Sequence, residues 1–155
     1  KGFDFDILKA VERINDDQPI YFMNQIKKIV KTFKNKRVAV LGLAFKPNTD
    51  DIRDARSTRV LQILKQEGAS VKAYDPKAMK RMAEIHKDVE YVGSAMEAAK
   101  DADFIIILTE WSDFLNIDFD MLKTVVKKPL IFDGRNLFDP IEMKSKGFEY
   151  YGIGR

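Results

Sequence analysis

The sequence predicts an α/β protein: a Rossmann-like parallel sheet with flanking helices, preceded by a long N-terminal helical segment. Two observations carry this. Val38 to Phe45 and Phe104 to Ile107 are nearly continuous apolar runs, the texture of strands covered on both faces. Between Arg37 and Ile153 such runs alternate with stretches of helical periodicity, the pattern that builds a parallel sheet through right-handed crossovers. With 155 residues, 45% of them hydrophobic and 33% charged, the chain is large enough for one such domain with a real core.

The elements follow in order. Residues 5–33 read as helix: Ile7, Leu8, Val11 and Ile14 form an apolar stripe that Phe22, Met23, Ile26, Ile29, Val30 and Phe33 continue. Pro19 predicts a kink or break near Asp17-Gln18, or the first turn of a second helix. The first strand begins at Arg37 and gives way to a polar loop, Lys46 to Arg56. Ser57-Thr58 are placed to cap a helix whose inner face is Val60, Leu61 and Leu64, and Gly68 ends it. Ser70 to Tyr74 is the second strand, closed by Asp75-Pro76. A short helix is expected over 77–87, a short strand over Val89 to Val92, and a helical turn or two over Ser94 to Lys100. Asp103 to Leu108 is the most buried strand. A helix over Phe119 to Val126, a strand over Leu130 to Phe132, a short helix over Ile141 to Ser145 and a last strand over Phe148 to Ile153 complete the chain.

Composition narrows the chemistry. There is no cysteine, which removes disulfides, Cys metal sites and a Cys nucleophile from this chain. The single histidine, His86, sits in a charged stretch and reads as a solvent-facing helix residue. No cluster of metal ligands is visible, and no metal is expected. The net charge of +3 is spread along the chain. Its densest basic run, Lys27 to Arg37, has no accompanying nucleic-acid motif, so no nucleic-acid partner is expected. No apolar run has the length of a membrane span and the N-terminus lacks a signal peptide's apolar core, so no membrane partner is expected. The abrupt start at Lys1-Gly2-Phe3 suggests a piece of a longer chain.

In an open parallel sheet ligands bind beyond the carboxyl ends of the strands. Lys46 to Arg56, Asp75-Pro76, Thr109 to Trp111 and Asp133-Gly134-Arg135 should therefore lie along one edge. The first strand ends in Gly42-Leu43-Ala44-Phe45-Lys46-Pro47, without the second and third glycines of a dinucleotide fingerprint, so this turn is not expected to hold NAD as such fingerprints do. Asp75 occupies the place of a ribose-binding acid, but reads better as a turn residue before Pro76. The loop Lys46 to Ser57, with its acids and bases, reads either as a solvated surface loop or as an anion site running into a helix N-terminus. Asp133-Gly134-Arg135 delivers a glycine and then an arginine at the sheet edge.

These blocks resemble, in order and spacing, the C-terminal domain of the nucleotide-sugar 6-dehydrogenases, the UDP-glucose/GDP-mannose dehydrogenase family. The resemblance rests on Val38 through Asp54, Gly68 through Val71, Ala73 through Pro76, Leu108 through Trp111 and Phe132 through Asn136, and covers essentially the whole chain. Asn48 through Asp54 and Thr109 through Trp111 look like the UDP-glucose branch; UDP-N-acetylmannosamine and GDP-mannose branches share Gly42, Phe45-Lys46 and Arg53. One departure stands out: the family commonly has proline where this chain has Arg56. The resemblance implies that residues 1–34 are the end of a central dimerisation helix and linker, and that 35–155 are a UDP-sugar-binding domain. It implies that Phe45, Lys46 and Arg135 contact the UDP-sugar, and that Arg53 reaches toward NAD. NAD itself would be held mainly by a further N-terminal domain, which would also supply the catalytic Cys, so no residue here is expected to be catalytic. It implies as partners UDP-glucose or a related UDP-sugar, the N-terminal and central domains, and other copies of a cytoplasmic homo-oligomer.

Overall fold

Six strands form one all-parallel sheet in the computed structural model, which describes residues 6–154. In chain order they are β1 (Arg37–Leu41), β2 (Ser70–Tyr74), β3 (Glu90–Tyr91), β4 (Phe104–Ile107), β5 (Leu130–Asp133) and β6 (Glu149–Gly152). Their spatial order is β3-β2-β1-β4-β5-β6, so the direction of winding reverses between β1 and β4. Right-handed crossovers running in opposite directions put their helices on opposite faces of the sheet.

Burial follows position. All of β4 and β5 is buried, as is β1 after Arg37. The outer strand β6 alternates between exposed and half-buried residues, as an edge strand does. Phe104 packs edge-on to Phe132 with ring centroids 5.6 Å apart and tilted against Phe33 at 6.1 Å, so the aromatic core straddles β4 and β5.

The helices are α1 (Asp6–Val30), α2 (Arg56–Gln66), α3 (Met79–Ile85), α4 (Ala95–Ala99), α5 (Phe119–Val125) and α6 (Pro140–Ser145). The expected helix over 77–87 is thus shorter, and a 3-10 turn at Ser112–Asn116 was not anticipated. Helix α1 runs unbroken through Pro19. Proline removes only the bond to the carbonyl of Asn15, in an exposed stretch of the helix, while its ring is buried with Phe22, Met23 and Ile26 against the core. Upstream of Pro19 the stripe Ile7, Leu8, Val11 and Ile14 lies exposed. The proposed helical start at residue 5 falls outside the described residues.

Ser57 and Thr58 do not cap α2: the N-cap is Ala55, which makes no side-chain cap bond. Ser57 is buried, and its hydroxyl donates to the carbonyl of Leu43 at 2.6 Å. The other end closes as expected. Gly68, at φ +79°, donates to Lys65 while Ala69 donates to Leu64, the paired bonds of a glycine C-cap. His86 is not the solvent-facing helical residue expected; it is the half-buried C-cap of α3, and burial pushes its imidazole below its ordinary pKa.

Candidate functional site

The four fully buried polar side chains among the described residues, Ser57, Asp75, Thr109 and Asp133, all lie at or just beyond the carboxyl edge of the sheet. The parallel register explains the shared level: Leu41 stands beside Tyr74 and Ile107, and Ile107 beside Asp133. Each strand therefore ends in the same plane and releases its loop to the same side.

Asp75 organises the first half of this edge. Its Oδ2 accepts from the backbone N–H groups of Leu43 (2.7 Å) and Ala44 (3.0 Å) and from the Trp111 indole N–H (3.0 Å). Its Oδ1 accepts from the N–H groups of Lys77 (2.8 Å) and Ala78 (2.7 Å). One carboxylate thus ties the loops after β1, β2 and β4 together, and the turn reading of Asp75 was only part of its role. Thr109 adds a second tie, donating its hydroxyl to the carbonyl of Ala44 at 2.6 Å. Gly42 permits this approach. It has φ +87°, and a Cβ there would stand 2.6 Å from the Thr109 backbone nitrogen, so no L side chain fits.

Asp133 does the same for the second half. It accepts from the N–H groups of Arg135 and Leu137, both at 2.8 Å, and from the Tyr150 hydroxyl at 2.7 Å. Gly134 lets this turn pass close to β4 and α1: a Cβ would meet the Ile107 carbonyl at 3.0 Å and the Phe22 ring at 3.4 Å.

Between these ties, at the point where the strand order reverses, lies a cleft of about 270 Å³. Gln18 and Phe22 of α1, Ala44 and Phe45 after β1, Arg56 of α2, Leu108 after β4, and Gly134 and Arg135 after β5 all line it. Such a crevice is where open α/β sheets bind ligands. Phe45, 48% exposed, offers a ring face at the rim of the kind that stacks on a planar base. Arg135 forms a forked pair with Glu110, Nη2 to Oε1 at 2.8 Å and Nε to Oε2. This contact draws the Glu110 carboxyl below its usual range and holds the guanidinium above its own.

Of the sequence-derived candidates, Phe45 and Arg135 share the cleft. Lys46 follows Phe45 on the exposed surface and does not line it. Arg53 also lies outside the lining, its side chain 85% exposed and folded back on Asp51 with Nη2 to Oδ2 at 2.7 Å. That contact holds the Asp51 carboxyl far below the usual carboxylate range. Arg81 fastens the same loop through Asp50 at 2.7 Å. Arg56, singled out in the sequence only as a departure from a family habit, projects into the cleft lining.

The turn after β1 does not fit a dinucleotide pyrophosphate. The Leu43 and Ala44 N–H groups, which such a turn would offer to phosphate, are consumed by Asp75. Among the described residues no group of three or more His, Cys, Asp and Glu side chains could hold a metal ion, and no helix is long and apolar enough to cross a membrane. The basic run before β1 is partly neutralised: Lys27 pairs with Glu67, Lys36 with Asp103 and Arg37 with Asp101. A second hollow of about 330 Å³ opens at the opposite edge, where the strands begin. Two ion pairs lie in its lining, Lys72 with Glu90 and Arg37 with Asp101.

Residues 39–140 match the family described as "UDP-glucose/GDP-mannose dehydrogenase family, UDP binding domain". The chain is 39% identical over 155 residues to UDP-glucose 6-dehydrogenase TuaD of Bacillus subtilis, covering 99% of this chain and 34% of that protein. It superposes on a UDP-glucose dehydrogenase from Pyrobaculum islandicum with TM-score 0.79 and 31% identity, over 94% of this chain and 31% of the other. It also superposes on a UDP-D-ManNAc dehydrogenase from Pyrococcus horikoshii with TM-score 0.80 and 26% identity, over 99% and 34%. The chain thus spans about a third of the length of these relatives.

Proposed function

The chain belongs to the UDP-glucose/GDP-mannose dehydrogenase family, as its UDP-binding domain, and on that premise we propose that the cleft at the strand-order reversal takes the nucleotide end of a UDP-sugar. The observation that carries this reading is the meeting of Phe45 and Arg135 on one cleft at that point. Phe45 and Arg135 contact the ligand within the cleft, and Lys46, beside Phe45 on the surface, reaches the part that projects from it: the aromatic face meets a planar group, and the cations meet anionic or sugar oxygens. The bound sugar projects out of the cleft toward parts of a longer enzyme.

The reaction we propose for that enzyme is oxidation of the C6 alcohol of UDP-glucose to the carboxylate of UDP-glucuronate, with two hydrides passing to NAD. The hydride acceptor and the Cys nucleophile belong to regions outside this chain, which has no cysteine and whose β1 turn is closed to a pyrophosphate. The chain alone is expected to be inactive. Its contribution is positioning: a fixed nucleotide handle sets the distance from sugar to reacting groups, and proximity of this kind accounts for a large share of many barriers. Arg53 would exchange Asp51 for the cofactor across the domain boundary. Residues 1–34 serve as the end of a central dimerisation helix and its linker, and the exposed stripe Ile7, Leu8, Val11 and Ile14 packs on the remainder of the enzyme or on a second subunit.

A second reading, a UDP-N-acetylmannosamine dehydrogenase, is favoured by the equally good superposition on an enzyme of that name. Calorimetric titration of the full chain with UDP and with GDP tests what the two readings share. Binding of UDP but not GDP is expected; equal binding of both would sink the uridine assignment.

A further inference from the structure

Arg56 differs from Arg53, Arg81 and Arg135 in having no counter-charge. Arg135 is forked onto Glu110 and Arg53 onto Asp51. Arg56 donates one bond, from Nη1 to the carbonyl oxygen of Asp54 at 3.1 Å, and among the described residues it forms no ion pair. Asp16 and Asp17 border the neighbouring hollow that Arg56 also touches, yet neither comes within ion-pair distance. Most of the guanidinium's five N–H donors are therefore free. They stand on the first residue of α2, on a helix whose inner face is locked into the core by Val60, Leu61 and Leu64.

An unmatched guanidinium beside a half-apolar cleft keeps its attraction for an incoming anion, whereas Arg135 must share its fork with Glu110. We propose that Arg56 holds the diphosphate of the nucleoside diphosphate ligand in this cleft. Phe45 and Arg135 are left to the base and sugar ends. The inference rests on the functional reading above and extends it by assigning the anionic part of the ligand to a residue with no role in that reading. A guanidinium fork matches a phosphate geometrically, and the charge-assisted bond is roughly twice as strong as a neutral one.

The test compares UDP with uridine, by calorimetry on the full chain, in wild type, Arg56→Pro and Arg56→Lys. Proline suits the position: Ala55 already has φ −64° and ψ 125°, the conformation a residue before proline adopts, and the first helical amide has no intrahelical acceptor to lose. The expected result is that R56P weakens UDP binding by about tenfold or more while leaving uridine unchanged, and that R56K keeps part of the preference for UDP. R56Q, which retains side-chain length, gives the same answer should the proline variant not fold. UDP binding by R56P and R56Q at the wild-type level would overturn the inference. So would equal weakening of UDP and uridine, which marks a structural effect. A wild-type chain that binds neither ligand would overturn the functional reading and this inference with it, whereas wild-type UDP binding without sensitivity at position 56 removes the inference alone.

Discussion

Removing the Asp75 carboxylate should be among the most damaging single changes at this edge. Asp75→Ala deprives five donors of their acceptor: the N–H groups of Leu43, Ala44, Lys77 and Ala78 and the indole N–H of Trp111. Lys77 is exposed and can turn to water, but Leu43, Ala44, Ala78 and Trp111 are 0%, 3%, 0% and 2% exposed. A buried donor left unsatisfied costs about 1–3 kcal/mol, so four of them, at the low end, cost about 4 kcal/mol. That is a large share of the 5–15 kcal/mol by which a domain of ordinary stability stays folded, and it corresponds to a fall in Tm of about 10 °C. Asp75→Asn is gentler. Its one carbonyl oxygen can keep the Leu43, Ala44 and Trp111 set while its amide faces Lys77 and Ala78, a cost of about 2 kcal/mol. Trp111→Phe forfeits a single bond and keeps most of the packing, about 1 kcal/mol. Urea unfolding followed by circular dichroism ranks the three, and the only tryptophan gives a second, fluorescent reading for the Asp75 variants. A D75A chain within about 1 kcal/mol of wild type, below the cost of even two orphaned donors, would refute the claim that this carboxylate ties the loops together.

Three further changes bear on the same edge. Gly42→Ala combines a positive φ with a Cβ 2.6 Å from the Thr109 backbone; a loss of about 2 kcal/mol or more in urea unfolding is expected. Arg135→Ala removes a cation from the cleft lining and leaves Glu110 without its partner; it should weaken UDP binding, measured by calorimetry, by roughly tenfold. The Glu110–Arg135 pair also sets a pH dependence. Because the folded-state pKa of Glu110 is lowered, its stabilising share is present above its ordinary value of 4.5 and is lost as pH falls below that through the lowered value. The stability gap between wild type and Glu110→Gln should therefore shrink in acid unfolding curves below that pH.

The strands were legible because each central one is an apolar run, and the register of the edge followed from parallel topology alone. Arg135 could be singled out from its position after β5, whereas Phe45 was reached only through the family resemblance of the run that it ends. The roles of Asp75 and Thr109 could not be read in full, since their partners lie 31 to 65 residues away and nothing local announces bonds of that span. Ser57 misled for a related reason. A serine near a helix start has the local signature of a cap, but the hydroxyl is buried against β1's loop and finds the Leu43 carbonyl instead. Pro19 carried a true local cost that burial of its ring against the core outweighs. Arg56 drew notice only as a substitution for proline; that it lines the cleft depends on how α2 is seated.

The most direct test of the central claim is an NMR titration of the isotopically labelled full chain with UDP, and with GDP as control. The account predicts shifts confined to Phe45, Arg135 and their neighbours on the cleft and to the adjacent Lys46, with UDP only. Shifts centred elsewhere, such as the hollow beside Arg37 and Ser70, or an equal response to both nucleotides, would contradict it.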